Sequence, residues 1–407
     1  MRERLFAWLR DAGMAGVPDR LSPAACQQVI AAETLAGIDA FVRVFDRVTT
    51  RPAWRNAVAA DAPEIARRAS PEVCFFSAWD FHLPSTRPDD FQLIECNDNG
   101  SGFLFAALVN RAFYELGGLA ARDAVEPPPS LPEFETHLVA MIEREARAFF
   151  GERPPGAALI LDDADSLARG RFLDELHLLR EILERHGFEA VIAPPEALRR
   201  AGGRLFATDR RIAFVVNRST DFFWEGDGFA PLRAAWREGA VYVAPNPFTY
   251  ATRSDKRLLE PLSRPDRDAE LGIRPEDRAV LSAHVPETWV VREDDVDALV
   301  GRKDELVFKP AHGFAARGLL ASDQVGRSRL RRLVAHGESY VAQRRVPKRR
   351  LTGSGGEPDV WTDLRVWSYR GERFLVSGRA SLRADGIDLR APGGWLPTYA
   401  ARRAPAA

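Results

Sequence analysis

The sequence predicts a mixed α/β (α+β) protein with a helical N-terminal segment, and three observations carry that prediction. Two short apolar runs, "EVCFFSAWDFHL" and "FQLIECN", flank the polar turn "PSTRPDD", the pattern of an adjacent strand pair. Further on, "GAALILDDAD", "FLDELHLLREILERHG", "FEAVIAPPEAL" and "RIAFVVNRSTDFF" read as strand, helix, strand and strand, the texture of a small parallel α/β unit. The C-terminal part holds four more strand-like runs, "LVFKPA", "YVAQRRV", "VWTDLRVWSYRG" and "RFLVSGRASL".

Taken in order, the chain divides into four portions: 1–70, 71–154, 155–250 and 251–407. In the first, Ser22 and Pro23 give a helix-start signal ahead of the amphipathic run "CQQVIAAETLAGIDAFVRVFDRV". The second holds the strand pair and the helix "FLFAALVNRAFYEL", and "EPPPS" breaks the pattern after it. In the third, Leu173, Leu176, Leu179 and Leu183 recur at helical spacing and Gly187 supplies a stop. The fourth includes "PKRRLTGSGGEPD", a glycine-rich connection expected to be a mobile loop.

Composition narrows the function classes. At 407 residues, 45% hydrophobic and 28% charged with a formal charge of −1, the chain has core enough for several domains and no electrostatic signature of nucleic-acid binding. No window approaches a membrane span and no secretory signal is visible, so a cytoplasmic location is the expectation, with no membrane partner. Cys26, Cys74 and Cys96 lack metal-ligand spacing and are expected as reduced thiols. Of 57 basic residues only Lys256, Lys303, Lys309 and Lys348 are lysine. A lysine that survives such a bias marks a place for a compact ammonium, although Lys303 and Lys348 fall in charged, loop-like stretches.

Three clusters carry chemistry. In an extended strand Glu95 and Asn97 share a face, and strand pairing would set Asp80 beside Glu95, giving two carboxylates and a carbonyl oxygen suited to magnesium. The same residues also fit an ordinary strand end with a solvated glutamate. In "LVFKPAHGFAARGLL" an apolar strand ends at Lys309 ahead of Gly313 and Gly318, an arrangement able to meet an anion with backbone N–H groups and an ammonium, or to form a plain hairpin. In "TDLRVWSYRGERFLVSGRASL", Asp363, Arg365 and Arg379 fall on adjacent strands around the turn "SYRGE".

Together these motifs resemble the ATP-grasp superfamily in its circularly permuted order, as in the synthetase domain of glutathionylspermidine synthases and related bacterial proteins of unknown substrate. The resemblance spans most of residues 71 to 400. Its specific feature is that "WDF…IECN" precedes the lysine strands. By position, Asp80, Glu95 and Asn97 match the family's magnesium ligands. Lys256 and Lys309 match its nucleotide lysines, Gln343 its adenine segment, and His312 to Gly318 its glycine-rich flap. Arg365 and Arg379 match positions near the phosphates and the acyl site. "APGGW" resembles the closing Gly-Gly turn, and residues 155–250 a preATP-grasp domain with Arg218 as a substrate contact.

The resemblance implies ATP and Mg²⁺ as cofactors and an ATP-dependent ligase. A small-molecule carboxylate, an amino acid or short peptide, would be phosphorylated to an acylphosphate and captured by an amine as an amide. Asp98, Asn99 and Ser101 fit either substrate contacts or a helix-start turn capped by Ser101. His312 fits either a base for the amine or a bystander. Two departures favour an alternative, a degenerate nucleotide-binding protein acting as sensor or scaffold. Ala78 stands where many such ligases carry an arginine two residues before the aspartate, and Arg344 stands where the family is acidic. A third reading is an α/β binding protein without nucleotide.

Overall fold

The computed structural model describes residues 2–117, 124–313, 318–352 and 358–402. Its spine is a six-stranded antiparallel sheet. Strands β1 (Ser77–His82) and β2 (Gln92–Asn97) form the expected pair, and the long strands of the C-terminal hairpin, numbered below, extend it, with Gly394–Leu396 on the outer edge and the short strand Arg349–Leu351 against the start of the first long strand. Helix α1 (Ala32–Thr49) covers one face of this sheet. Its Leu35, Ile38, Phe41, Val42, Phe45 and Val48 recur three and four residues apart and are all buried. Phe45 meets Trp79 edge-on at 4.7 Å and Phe41 meets Phe81 at 5.8 Å. Burying each such side chain contributes about 1.5–3 kcal/mol relative to exposure.

Helix α2 (Phe103–Leu116) follows β2 directly and lies within the second large core, with Trp367, Trp395 and Tyr399. The parallel unit comes next. Strand β3 (Ala157–Leu161), helix α3 (Leu173–Arg185) and strand β4 (Arg210–Asn217) build it, in the order Ala190–Ala193, β3, β4, Tyr242–Ala244. The run after "FEAVIA" adds an antiparallel hairpin, Leu198–Ala201 with Arg204–Ala207, against the start of β4. A small antiparallel sheet holds strands β5 (Leu306–Pro310) and β6 (Tyr340–Arg344) together with Thr288–Val290. The long strands β7 (Val360–Tyr369) and β8 (Glu372–Ser381), turning at Arg370 and Gly371, return the chain to the six-stranded sheet.

The N-terminal segment departs from expectation. The helix does not begin at Ser22 and Pro23: Gln28–Ile30 is a strand paired in parallel with Thr398–Ala400, and α1 starts at Ala32. The local helical period yields because β-branched Val29 and Ile30 find a strand partner at the far end of the chain, which buries Ile30 to 2% exposure. Ser101 does not cap α2. The cap position is Gly102, and Glu175 of α3 supplies the carboxylate, accepting from the backbone N–H groups of Gly102, Leu104 and Phe105. The glycine-rich connection lies partly outside the described residues, at 353–357, as does the flap at 314–317. Among the described residues no helix is long and apolar enough to cross a membrane.

The turn from β2 into α2 depends on two glycines at positive φ, Gly100 and Gly102, whereas Gly202 lies in the hairpin between Ala201 and Arg204. Gly100 adopts φ +53°, and a Cβ there would lie 1.9 Å from the Phe76 carbonyl oxygen. Gly202 has the same φ in open space. Gly202→Ala therefore isolates the left-handed penalty of about 1–2 kcal/mol. Gly100→Ala adds a backbone clash and is expected to cost at least twice as much, a ranking that denaturant unfolding of the two variants checks.

Candidate active site

Alternation along the strands sorts the central sheet into two chemistries. Trp79, Phe81, Leu364 and Val366 face α1, while Asp80, Asp363 and Arg365 take the other face. Register then fixes neighbours: Asp80 lies opposite Glu95 on β2 and opposite Arg365 on β7, and Asp363 lies opposite Arg379 on β8. The pairing of Asp80 with Glu95 expected from the sequence is present.

These groups form a chain of buried ion pairs. Arg365 grips Asp80 with both prongs, Nε to Oδ1 at 2.5 Å and Nη2 to Oδ2 at 2.6 Å. Arg379 Nη2 lies 3.0 Å from Asp80 Oδ2 and 2.8 Å from Asp363 Oδ2. Burial alone would raise the Asp80 pKa, but Arg365 and Arg379 overcome it and hold the carboxyl well below the usual aspartate range. Glu95 is held down in the same way, chiefly by Lys256 against the effect of burial.

A cavity of about 440 Å³ opens between this face and the small sheet. Asp80, Glu95, Lys256, Lys309, Gly313, Gln343 and Arg379 all line it. Lys309 Nζ donates to Gln343 Oε1 at 2.7 Å across β5 and β6. Lys256 Nζ donates to the Gly313 carbonyl at 2.6 Å and lies 3.4 Å from Glu95. Burial pushes the Lys309 ammonium down to about 8, with Glu95 opposing the fall and Lys256 adding to it. Six cationic and four anionic side chains line the cavity, so an anionic guest restores the balance.

Not every expected residue reaches it. Arg218 is buried and donates to Glu175 at 2.8 Å, so it braces the start of α2 and does not face the cavity. Arg365 lies beneath Asp80, outside the lining. Gly318 accepts from the Tyr340 hydroxyl at 3.1 Å and is also outside it. Asn97 faces a second, smaller recess shared with Lys256, Asn99, Asn217 and Tyr250, at the carboxyl ends of the parallel strands. Asp98 is committed internally, accepting from Ser77 and Ser254 at 2.7 Å each. His312 Nδ1 lies 3.1 Å from the Tyr250 hydroxyl at the edge of the same region.

Two cavity residues escaped sequence reasoning. His82 donates from Nδ1 to the Val346 carbonyl at 2.8 Å, and burial, with Lys348 nearby, pushes it down to about 4. Lys348 lies in the connection after β6, as its sequence suggests, but it is not solvated: its side chain is 5% exposed and its ammonium donates to the Gly386 carbonyl at 2.6 Å. The scarcity of lysine was the signal for it, overridden by the charged flanks.

For a metal, the donor set is two carboxylates and one amide oxygen, since Asn97 Nδ2 donates to Glu95 Oε1 at 3.1 Å and leaves Oδ1 to accept. Among the described residues no three acidic, cysteine or histidine side chains gather into a metal-holding group. Hard oxygen donors of this number and kind fit magnesium, provided that Arg365 and Arg379 loosen their hold on Asp80.

Removing the central carboxylate should be expensive. Asp80→Asn leaves Arg365 buried without its partner and is expected to cost about 3–5 kcal/mol at neutral pH. Because the folded pKa is depressed, the carboxylate's stabilisation is complete above the ordinary aspartate value and lost as pH falls below it, so the gap between wild type and variant should narrow below about pH 4. Urea unfolding at pH 7 and at about pH 3 measures both.

The sequence matches no protein-family model, and no curated protein resembles it significantly. Solved structures do. A glutathione synthetase-like effector from Globodera pallida superposes with a TM-score of 0.54 at 12% identity, covering 98% of this chain and 98% of that one. A γ-glutamylcysteine synthetase-like protein from Methylobacillus flagellatus gives 0.49 at 13% identity over 90% and 87% of the two chains. The ATP-grasp ligase PsnB gives 0.32 at 15% identity over 60% and 89%. The argument rests on the first, which is similar over its whole length and at that identity speaks for architecture alone. The chain shares the α+β architecture of that effector, with the pair β1 and β2 preceding β5 and β6 in sequence.

Proposed function

We propose that this protein is an ATP-dependent carboxylate–amine ligase that forms an amide bond through an acylphosphate. The observation that carries the reading is the convergence of Lys256, Lys309, Gln343 and Gly313 with Asp80, Glu95 and Arg379 around one cavity between two sheets. Gln343 and the backbone after it would hold the adenine edge. Lys256 and Lys309 would exchange their present partners for phosphate oxygens. Magnesium held by Asp80, Glu95 and Asn97 would supply charge neutralisation between phosphates.

The chain's own work is then positioning and electrostatics, with no side-chain nucleophile required. Arg379 reaches the cavity and is the arginine placed to meet the transferred phosphoryl group. Arg365 acts through Asp80, by orienting it. The carboxylate and amine, a small amino acid or short peptide, would enter on the side of Lys256, where the recess lined by Asn97, Asn99, Asn217 and Tyr250 measures only about 20 Å³ and would have to open to take them.

A second reading has its own observation. Both oxygens of Asp80 are occupied by arginines, and Ala78 leaves no arginine two residues before it, as in a nucleotide-binding protein without turnover. The two readings agree on nucleotide and differ on phosphate release. Saturating Mg-ATP at about a hundred times its Kd should stabilise wild type by about 2.7 kcal/mol, and Lys309→Met should abolish the effect. Nucleotide affinity should fall as the pH rises past 8, where Lys309 gives up its proton. Phosphate release that needs both a carboxylate and an amine identifies the ligase. Nucleotide-dependent stabilisation with no release under any pairing of amino acids and amines identifies the binding protein.

A further inference from the structure

We propose that Lys348 is a third lysine of the nucleotide site, contacting the phosphate chain from the side opposite Lys256 and Lys309. The proposal rests on the reading that the cavity binds a nucleotide. Its first support is the distribution of lysine. Four of 57 basic residues are lysine, and three of those four line one cavity, while Lys303 stands on a turn elsewhere. A chain that uses arginine almost everywhere else retains the compact, rotatable ammonium at this one place.

Geometry supplies the second support. The Lys348 side chain lies along the cavity wall, 5% exposed, with one N–H on the Gly386 carbonyl. Its nearest carboxylate, Asp363 at 4.0 Å, is already held by Arg379 through Nε, Nη2 and its backbone N–H. Arg379 in turn reaches Asp80, so Lys348 stands at the cationic end of a chain that terminates at the candidate metal carboxylate. Burial and Arg379 lower the Lys348 pKa, while Asp363, Asp80 and Asp388 raise it, and His82 faces it as a neutral ring. The position that Ala78 leaves without charge is not filled by Arg218, which is bound to Glu175, nor by Arg365, whose Nε and Nη2 are spent on Asp80. Lys348 lines the cavity with Arg379, and its ammonium is held by a neutral carbonyl that a charged oxygen can replace.

Calorimetric titration of Mg-ATP and of adenosine into wild type, Lys348→Met, Lys348→Arg and Lys303→Met tests this. The expected result is a loss of about tenfold or more in ATP affinity for Lys348→Met with adenosine affinity unchanged, at most partial recovery in Lys348→Arg because a planar fork does not replace the compact ammonium, and no change in Lys303→Met. Equal losses for ATP and adenosine would assign Lys348 to the ribose or to the fold and overturn the phosphate contact, as would an unchanged ATP affinity. Wild type that binds neither ligand would overturn the nucleotide reading itself. Should Lys348→Met not fold, Lys348→Gln in the same titration carries the test, joined by amine labelling of wild type. Inorganic tripolyphosphate should protect Lys348 from the label and adenosine should not; the reverse pattern, or protection of Lys256 and Lys309 without Lys348, overturns the assignment.

Discussion

A slip of one residue in the pairing of β1 would turn Asp80 toward α1 and carry Trp79 and Phe81 into the cavity, because side chains in a strand alternate faces. The register is held by the apolar side of the same strands. Trp79 and Phe81 are fully buried against Phe41 and Phe45, and the Trp79 indole N–H donates to Ser368 on β7 at 2.7 Å. The greasy face therefore decides where the charges go. The β-bulge between Asp80 and Phe81 preserves this sorting, since it lets Asp80 face Glu95 while Phe81 faces Leu93.

Charge burial at this density is stable only as a connected set. Asp80, Asp363, Arg365, Arg379 and Lys348 are each 10% exposed or less at the side chain, and each has an opposite charge within 4.0 Å. Such a set holds its members in fixed directions, which gives geometric precision at a desolvation cost. The N-terminal segment belongs to the same construction. Asp46 of α1 pairs with Arg253, which also lies 3.6 Å from Asp98 just after β2, so the helix that covers the sheet also steadies the helical turn beside Lys256. The first 70 residues thus gain a role that their own pattern does not announce.

The parts of the fold that were legible from sequence are those with a strong local period. The pair β1 and β2, the leucine repeat of α3 and the turn between β7 and β8 follow from two- and three-to-four-residue spacing and from glycine. Partners far apart in sequence are another matter. Gln28–Ile30 pairs with residues some 370 positions away, and no local pattern names that partner. Of the site, Asp80, Glu95, Lys309, Gln343 and Arg379 converge because each sits on a strand of one of the two sheets, and Lys256 joins them from the short helical turn Lys256–Leu258. Arg218 does not line the cavity, and sequence could not show this because a charged residue at the end of a parallel strand looks the same whether it faces open space or a buried Glu175. Lys348 was hidden because neighbouring charges imitate a solvated loop.

The three lysines at the cavity and Arg379 already have internal partners. Lys256 rests on Gly313 and Glu95, Lys309 on Gln343, Lys348 on Gly386, and Arg379 on two carboxylates. Binding of an anion here would be an exchange, in which each contact to it replaces a hydrogen bond that the protein already makes. Its affinity is the difference between two sets of similar interactions. Contacts to a neutral acceptor, such as the Gly313 and Gly386 carbonyls or the Gln343 amide, yield to a charged oxygen more readily than the paired carboxylates do. The lysines are consequently the groups free to change partners, and the arginines, locked in two-pronged pairs, are the frame against which they move.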